Sequence, residues 1–93
     1  MITRGDVERI REWAVRRGGR VTFVFRGYRY RLVIGRFIHA EDEEGRTVEW
    51  GRAFGAQLPH QVLSSLPVER IVVREAEGEK VLRSLRELME LVR

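Results

Sequence analysis

Between Arg20 and Phe37, five arginines (Arg20, Arg26, Arg29, Arg31, Arg36) are interleaved with Phe23, Phe25, Tyr28, Tyr30 and Phe37, five of the eight aromatic residues in the chain. Guanidinium groups hold phosphate oxygens through paired hydrogen bonds, and aromatic faces stack on bases. Interleaving the two on a strand-like segment is therefore the chemistry of single-stranded nucleic-acid recognition. The same string also reads as a core strand with a solvated back, and the remainder of the chain has to weigh one reading against the other.

A second segment repeats the pattern. From Val68 to Glu75 the residues alternate, placing Arg70, Val72 and Arg74 on one face and Ile71 and Val73 on the other. If this strand joins a sheet with the 20–35 segment, the face of Thr22, Val24, Arg29, Arg31 and Val33 continues through Arg70 and Arg74. Helices would then cover the opposite, apolar face. The open face suits a phosphate backbone. It equally suits water, since arginine stems can lie over Val24, Val33 and Val72 while their heads stay hydrated. Stacking rings would come from the margins of the face: Tyr28 at the hairpin turn, Phe37 after it, Trp50 at a strand end and Phe54 in a glycine-flanked loop, with Arg36 beside Phe37. Phe23, Phe25 and Tyr30 belong to the core side.

Catalytic chemistry finds little support. His39 and His60 are the only histidines, and Ser64 and Ser65 follow His60 without a glycine-framed nucleophile turn. The acids of Glu41–Gly45 (EDEEG) are contiguous, unlike the alternating ligands of a calcium loop, and read as a solvated turn. His39 with Glu41 or Asp42 is the one combination to watch. The expectation is a protein that is not an enzyme, with no cofactor, no metal and no small-molecule substrate.

The elements that position these residues follow from periodicity. Thr3 with Asp6 forms a capping-box variant, and Val7, Ile10 and Ala14 recur at helical spacing until Gly18-Gly19, giving a helix over about 4–17 with Trp13 at the margin of its stripe. The period then changes to two. Arg26-Gly27 reads as a two-residue hairpin loop between strands at about 20–26 and 28–35, which places Phe25 opposite Tyr28, Phe23 opposite Tyr30 and Val21 opposite Leu32. Gly35 marks a bend, RTVEW (46–50) a third short strand, Pro59 the start of a short helix ending before Pro67, and 68–75 the last strand. The segment 77–93 reads as a C-terminal helix striped by Leu82, Leu85, Leu88, Met89, Leu91 and Val92. The fold class is α+β: a small antiparallel sheet of about four strands in the order α-β-β-β-(short α)-β-α, one domain over residues 1–93. The leucine stripe is wider than one small sheet needs, which leaves a homodimer through this helix open. A protein-interaction or dimerisation module is accordingly the alternative function.

Composition narrows the classes further. Net charge is +4, but residues 1–36 hold ten arginines against three acids (+7), and residues 37–93 hold eight bases against eleven acids (−3). Such asymmetry marks a footprint for a polyanion on one part of the fold. No apolar run reaches the roughly 18 residues of a membrane span, MITRGDVER contains no secretory apolar region, and cysteine is absent, so a cytoplasmic protein without a membrane partner is expected. Seventeen arginines against one lysine, with no asparagine, point to a thermophile or to a GC-rich genome.

The hairpin RVTFVFRGYRYRLVIGRF, the helix-strands-helix order and the stripe VLRSLRELMELVR together resemble the ThermoDBP group, the single-stranded DNA-binding proteins of hyperthermophilic archaea and their shorter relatives. That resemblance implies a small antiparallel sheet with helices, a cleft for single-stranded DNA lined by basic and aromatic side chains, and in some members a C-terminal leucine zipper. The leading expectation is binding of single-stranded nucleic acid, DNA before RNA, with little sequence preference, through Arg29, Arg31, Arg70, Arg74 and Arg36 and the rings of Tyr28, Phe37, Trp50 and Phe54.

Overall fold

The computed structural model describes residues 1–93. Helix α1 (Arg4–Arg16) is capped as its sequence predicts: the Thr3 hydroxyl accepts from the Asp6 N–H at 3.1 Å, and the Asp6 carboxylate accepts from the Thr3 N–H at 2.9 Å. The chain continues through β1 (Arg20–Phe25), β2 (Arg31–Ile34), β3 (Ile38–Glu41), β4 (Thr47–Val48), α2 (Trp50–Phe54), α3 (Pro59–Ser65), β5 (Val68–Glu75), β6 (Gly78–Leu82) and α4 (Leu85–Val92). All strands pair antiparallel in one sheet of order β4-β3-β2-β1-β5-β6. The α+β class and the antiparallel sheet are as expected; the strand number is six rather than four.

Alternation along the strands divides the sheet. Val21, Phe23, Phe25, Leu32, Ile34, Ala40, Ile71 and Val73 join one core cluster with Val7, Ile10, Trp13 and Ala14 of α1, Val62 and Leu63 of α3, and Leu88 and Val92 of α4. At about 25 cal/mol per Å² of apolar surface removed from water, this face is the main source of stability. No helix of the structure is long and apolar enough to cross a membrane.

Three sequence expectations are corrected. The hairpin register pairs Val21 with Ile34 and Phe23 with Leu32, two residues from the predicted alignment, and the loop runs from Arg26 to Tyr30. A two-residue loop would hold Tyr28 and Tyr30 on the strand. Here the Tyr28 ring stacks on that of Phe54 and its hydroxyl donates to the Ala53 carbonyl, while the Tyr30 ring meets Tyr28 edge-on. Partial burial of the two tyrosines against the core outweighs the tighter turn. Because the shift is even, every strand residue keeps its predicted face.

The third strand in sequence is Ile38–Glu41, and only Thr47 and Val48 of RTVEW pair, as β4. Trp50 starts α2 instead of ending a strand, since its indole N–H donates to the Gln57 carbonyl at 2.8 Å and its ring packs 4.9 Å from that of Phe54. The C-terminal helix spans 85–92, not 77–93, because residues 78–82 pair with β5. Gly78 has φ +150°, a region that favours glycine, and it closes the two-residue turn Ala76-Glu77. Ser84 then restarts the helix as its N-cap, accepting from the Glu87 N–H.

Candidate nucleic-acid interface

The face opposite the core carries no helix, and the sheet register sorts its residues into rows across the strands. Arg74 of β5 pairs with Arg20 of β1 and with Glu79 of β6. The next row holds Val81, Val72, Thr22, Val33 and His39 in order across five strands. The third brings Arg70 opposite Val24 and Arg31 opposite Glu41, which faces Thr47. Consecutive rows lie two residues apart, about 6.6 Å, so two arginine rows stand about 13 Å apart on either side of an uncharged one. Val33 is 0% exposed although no helix covers it. Thr22 and His39 flank it across the strands, and Arg31 precedes it by two residues on the same face.

At one end of these rows a cleft of about 410 Å³ is lined by Arg20, Arg36, Arg74, Phe37, His39 and Val33, with Glu75 at its margin. Two glycines allow it. A Cβ on Gly19 would fall 1.7 Å from the Arg74 carbonyl oxygen, and one on Gly35 would fall 3.0 Å from the Arg20 Cβ. With side chains there, β1 could not approach the end of β5 so closely, and the β2–β3 turn could not lie against Arg20. Phe37 projects from that turn and is 75% exposed. The turn is anchored from behind, where the Arg11 guanidinium of α1 donates twice to the Arg36 carbonyl, at 2.9 and 3.2 Å, and the Gly35 N–H donates to the Phe37 carbonyl at 3.1 Å.

Acids temper the charge of this surface. Arg74 pairs with Glu79 at 3.0 Å, Arg70 with Glu69 at 2.9 Å, and the Glu41 carboxylate accepts from His39 Nε2 at 2.9 Å, with Arg20 3.9 Å away. The exposed Arg74–Glu79 and Arg70–Glu69 pairs are each worth about 0–1 kcal/mol, so a phosphate making charge-assisted hydrogen bonds can displace them, whereas Glu41 is buried, at 8% exposure. Arg31 and Arg36 make no ion pair. Glu75 is occupied elsewhere, by Arg17 at 3.0 Å and Lys80 at 3.6 Å. In the turn between β3 and β4 the Asp42 carboxyl is held below the usual carboxylate range by the Arg46 backbone N–H and then by that of Glu44.

The nine residues singled out from sequence therefore separate into groups. Arg31, Arg70 and Arg74 lie on the open face, and Arg36 and Phe37 join Arg74 in the cleft. Arg29 sits in the β1–β2 loop with its guanidinium over the Tyr30 ring at 5.1 Å, away from the cleft. Tyr28, Trp50 and Phe54 form one aromatic cluster beneath that loop, and Phe54, at 3% exposure, offers no face to a base. Of the four rings expected to stack, Phe37 stands free. Sequence reasoning named Arg20 within the arginine-rich stretch and His39 beside Glu41, but assigned neither to the binding surface, and it missed the supporting Arg11. The signal for Arg20 was its alternation with Thr22 and Val24, but its meaning depends on β1 lying beside β5.

The apolar C-terminal residues are largely used within the chain. Leu88 and Val92 are buried, Leu85 and Met89 pack against the core, Leu82 belongs to β6, and Leu91 is 40% exposed. No three His, Asp or Glu side chains converge as a metal site would require. The fold and site together define an α+β domain with an open, arginine-bearing antiparallel sheet. Comparison with protein-family models, with curated proteins and with solved structures returned no match.

Proposed function

We propose that this domain binds single-stranded nucleic acid, single-stranded DNA before RNA, without catalysis and with little preference for sequence. The supporting observation is the cleft in which exposed Phe37, held on an anchored turn, stands beside Arg20, Arg36 and Arg74. A phenylalanine that costs nothing to expose on ligand arrival, next to three phosphate-binding guanidinium groups, matches the stacking-plus-electrostatics design of single-strand binders. The rows of Arg70 and Arg31 extend the track across the sheet. Such a surface reads a backbone and the π-face common to all bases, which is why little sequence preference is expected. It is also the role that the resemblance to the ThermoDBP group implies.

The test is anisotropy of labelled single strands and duplexes titrated with the protein at several salt concentrations. Phosphates neutralised at the three cleft arginines contribute about −2 to the slope of log affinity against log salt, at about −0.7 each for single strands. Arg20→Ala combined with Arg74→Ala removes two of the three contacts. The slope then becomes shallower by about 1.4 and affinity drops at least about tenfold, each charge-assisted bond being worth about 1.5–3 kcal/mol. Absence of binding to every single strand at low salt, or an unchanged slope in the double variant, overturns the proposal.

A further inference from the structure

The sheet has two unlike edges. β4 offers two residues before α2 begins, which blunts that edge. β6 offers five, and nothing lies against its outer side. Its register shows what that side presents. Residues of an antiparallel ladder alternate between those that turn both backbone groups toward the neighbour and those that turn both away. Glu75 and Gly78 pair across a two-residue turn, so Gly78, Lys80 and Leu82 face β5, while Glu79 and Val81 direct their N–H and C=O groups outward. Val81 is also 51% exposed, an apolar side chain at the centre of a free edge.

We infer that this edge pairs with β6 of a second copy of the chain, antiparallel about a two-fold axis through Val81 and perpendicular to the sheet. This register satisfies three conditions together. Val81 packs against Val81 of the second copy, and the two exchange the outward backbone hydrogen bonds of each strand. Glu79 comes opposite Arg83 of the second copy, a residue without an ion pair in its own chain. Arg83 follows the last strand residue, and its N–H keeps the Glu87 carboxylate it already has at 3.1 Å. Lysine on a strand edge commonly discourages such pairing. Here Lys80 meets Leu82 of the second copy rather than another lysine, and its ammonium is held by Glu75. Because the axis is perpendicular to the sheet, the two arginine faces lie on the same side of a continuous sheet of twice six strands. The pairing rests on the edge alone and stands or falls independently of nucleic-acid binding.

Sedimentation equilibrium of the full chain tests it, with no oligonucleotide present. The expected result is a reversible dimer of twice 10.9 kDa. Val81→Lys, which sets like charges on the axis, and Val81→Pro, which removes an outward N–H without touching the β5 ladder, each weaken it by at least about tenfold with the circular dichroism spectrum unchanged. Glu79→Arg alone weakens it, and Glu79→Arg with Arg83→Glu restores it, a rescue that a merely destabilised monomer cannot give. A monomer at every concentration up to the solubility limit overturns the inference. So does a dimer that Val81→Lys leaves intact and Leu91→Glu abolishes, which would assign assembly to α4.

Discussion

Strand β1 serves two surfaces at once, and they are held together by different physics. Val21, Phe23 and Phe25 point toward the four helices and lose essentially all contact with water, whereas Arg20, Thr22 and Val24 point to the bare side. Val24 and Val33 show how far the second surface departs from the first. Both are buried yet belong to no helix-covered core. A face without a packed helix layer buries less apolar surface than the covered one and so adds less stability. The comparison teaches that strand alternation alone, with no separate module, suffices to give a small domain both a core and an exposed basic surface.

The largest effect should come from emptying the covered face. Phe23→Ala removes a fully buried ring from the centre of β1 and should cost about 3–5 kcal/mol of unfolding free energy, read from denaturant midpoints at unchanged m. A loss below about 1 kcal/mol would mean that the two faces are not so unequal.

How much of this division was legible in sequence depended on whether a signal was local. The period of two over 20–25 and 68–75 assigns residues to faces without any knowledge of pairing, and it survived a register error because the error was even. The reach of α1, from its Thr3 cap to Gly18, was equally local. Partnerships distant in sequence were not legible. That Arg20 meets Arg74 requires β1 to lie between β2 and β5, and no motif encodes that order. The glycine-flanked Phe54 looked like a loop residue because the tyrosines that bury it lie upstream in the hairpin. The error at 77–93 had another origin. Leu82 stands three residues before Leu85 and mimics a helical stripe, yet Gly78 and the Ser84-x-x-Glu87 cap together mark a turn and a restart.

A matched substitution on the bare side sharpens the contrast. Phe37→Ala deletes a ring of the same size as Phe23, but one that is already in water, so stability should change by no more than about 0.5 kcal/mol. If a base stacks on it, affinity for single strands should fall by about 1–3 kcal/mol, with the salt slope unaltered because no phosphate contact is lost. Phe54→Ala should behave in the opposite way, destabilising the fold through its buried aromatic cluster. A Phe37→Ala variant that binds as tightly as the parent would leave the bare face purely electrostatic.

The smallest effect concerns the helix that covers the core, and it separates the faces by pH. Asp6 has its carboxyl held below the usual range, first by the Thr3 backbone N–H and then by the Arg9 guanidinium at 2.6 Å. A lowered folded-state pKa means that its stabilising contribution is complete above the ordinary value of 3.8 and is lost as pH falls through the folded value. Thr3→Ala removes the reciprocal half of the box and should cost about 1 kcal/mol near neutral pH. Asp6→Asn should lower stability there too, with a difference from the parent that narrows below pH 3.8 because the parent's own carboxyl is then being protonated. Neither change touches Arg20, Arg36, Arg74 or Phe37. Oligonucleotide affinity at neutral pH should therefore stay that of the parent as long as the variants remain folded. A parallel loss of binding would show that α1, through Arg11 and the Arg36 carbonyl, couples the covered face to the bare one.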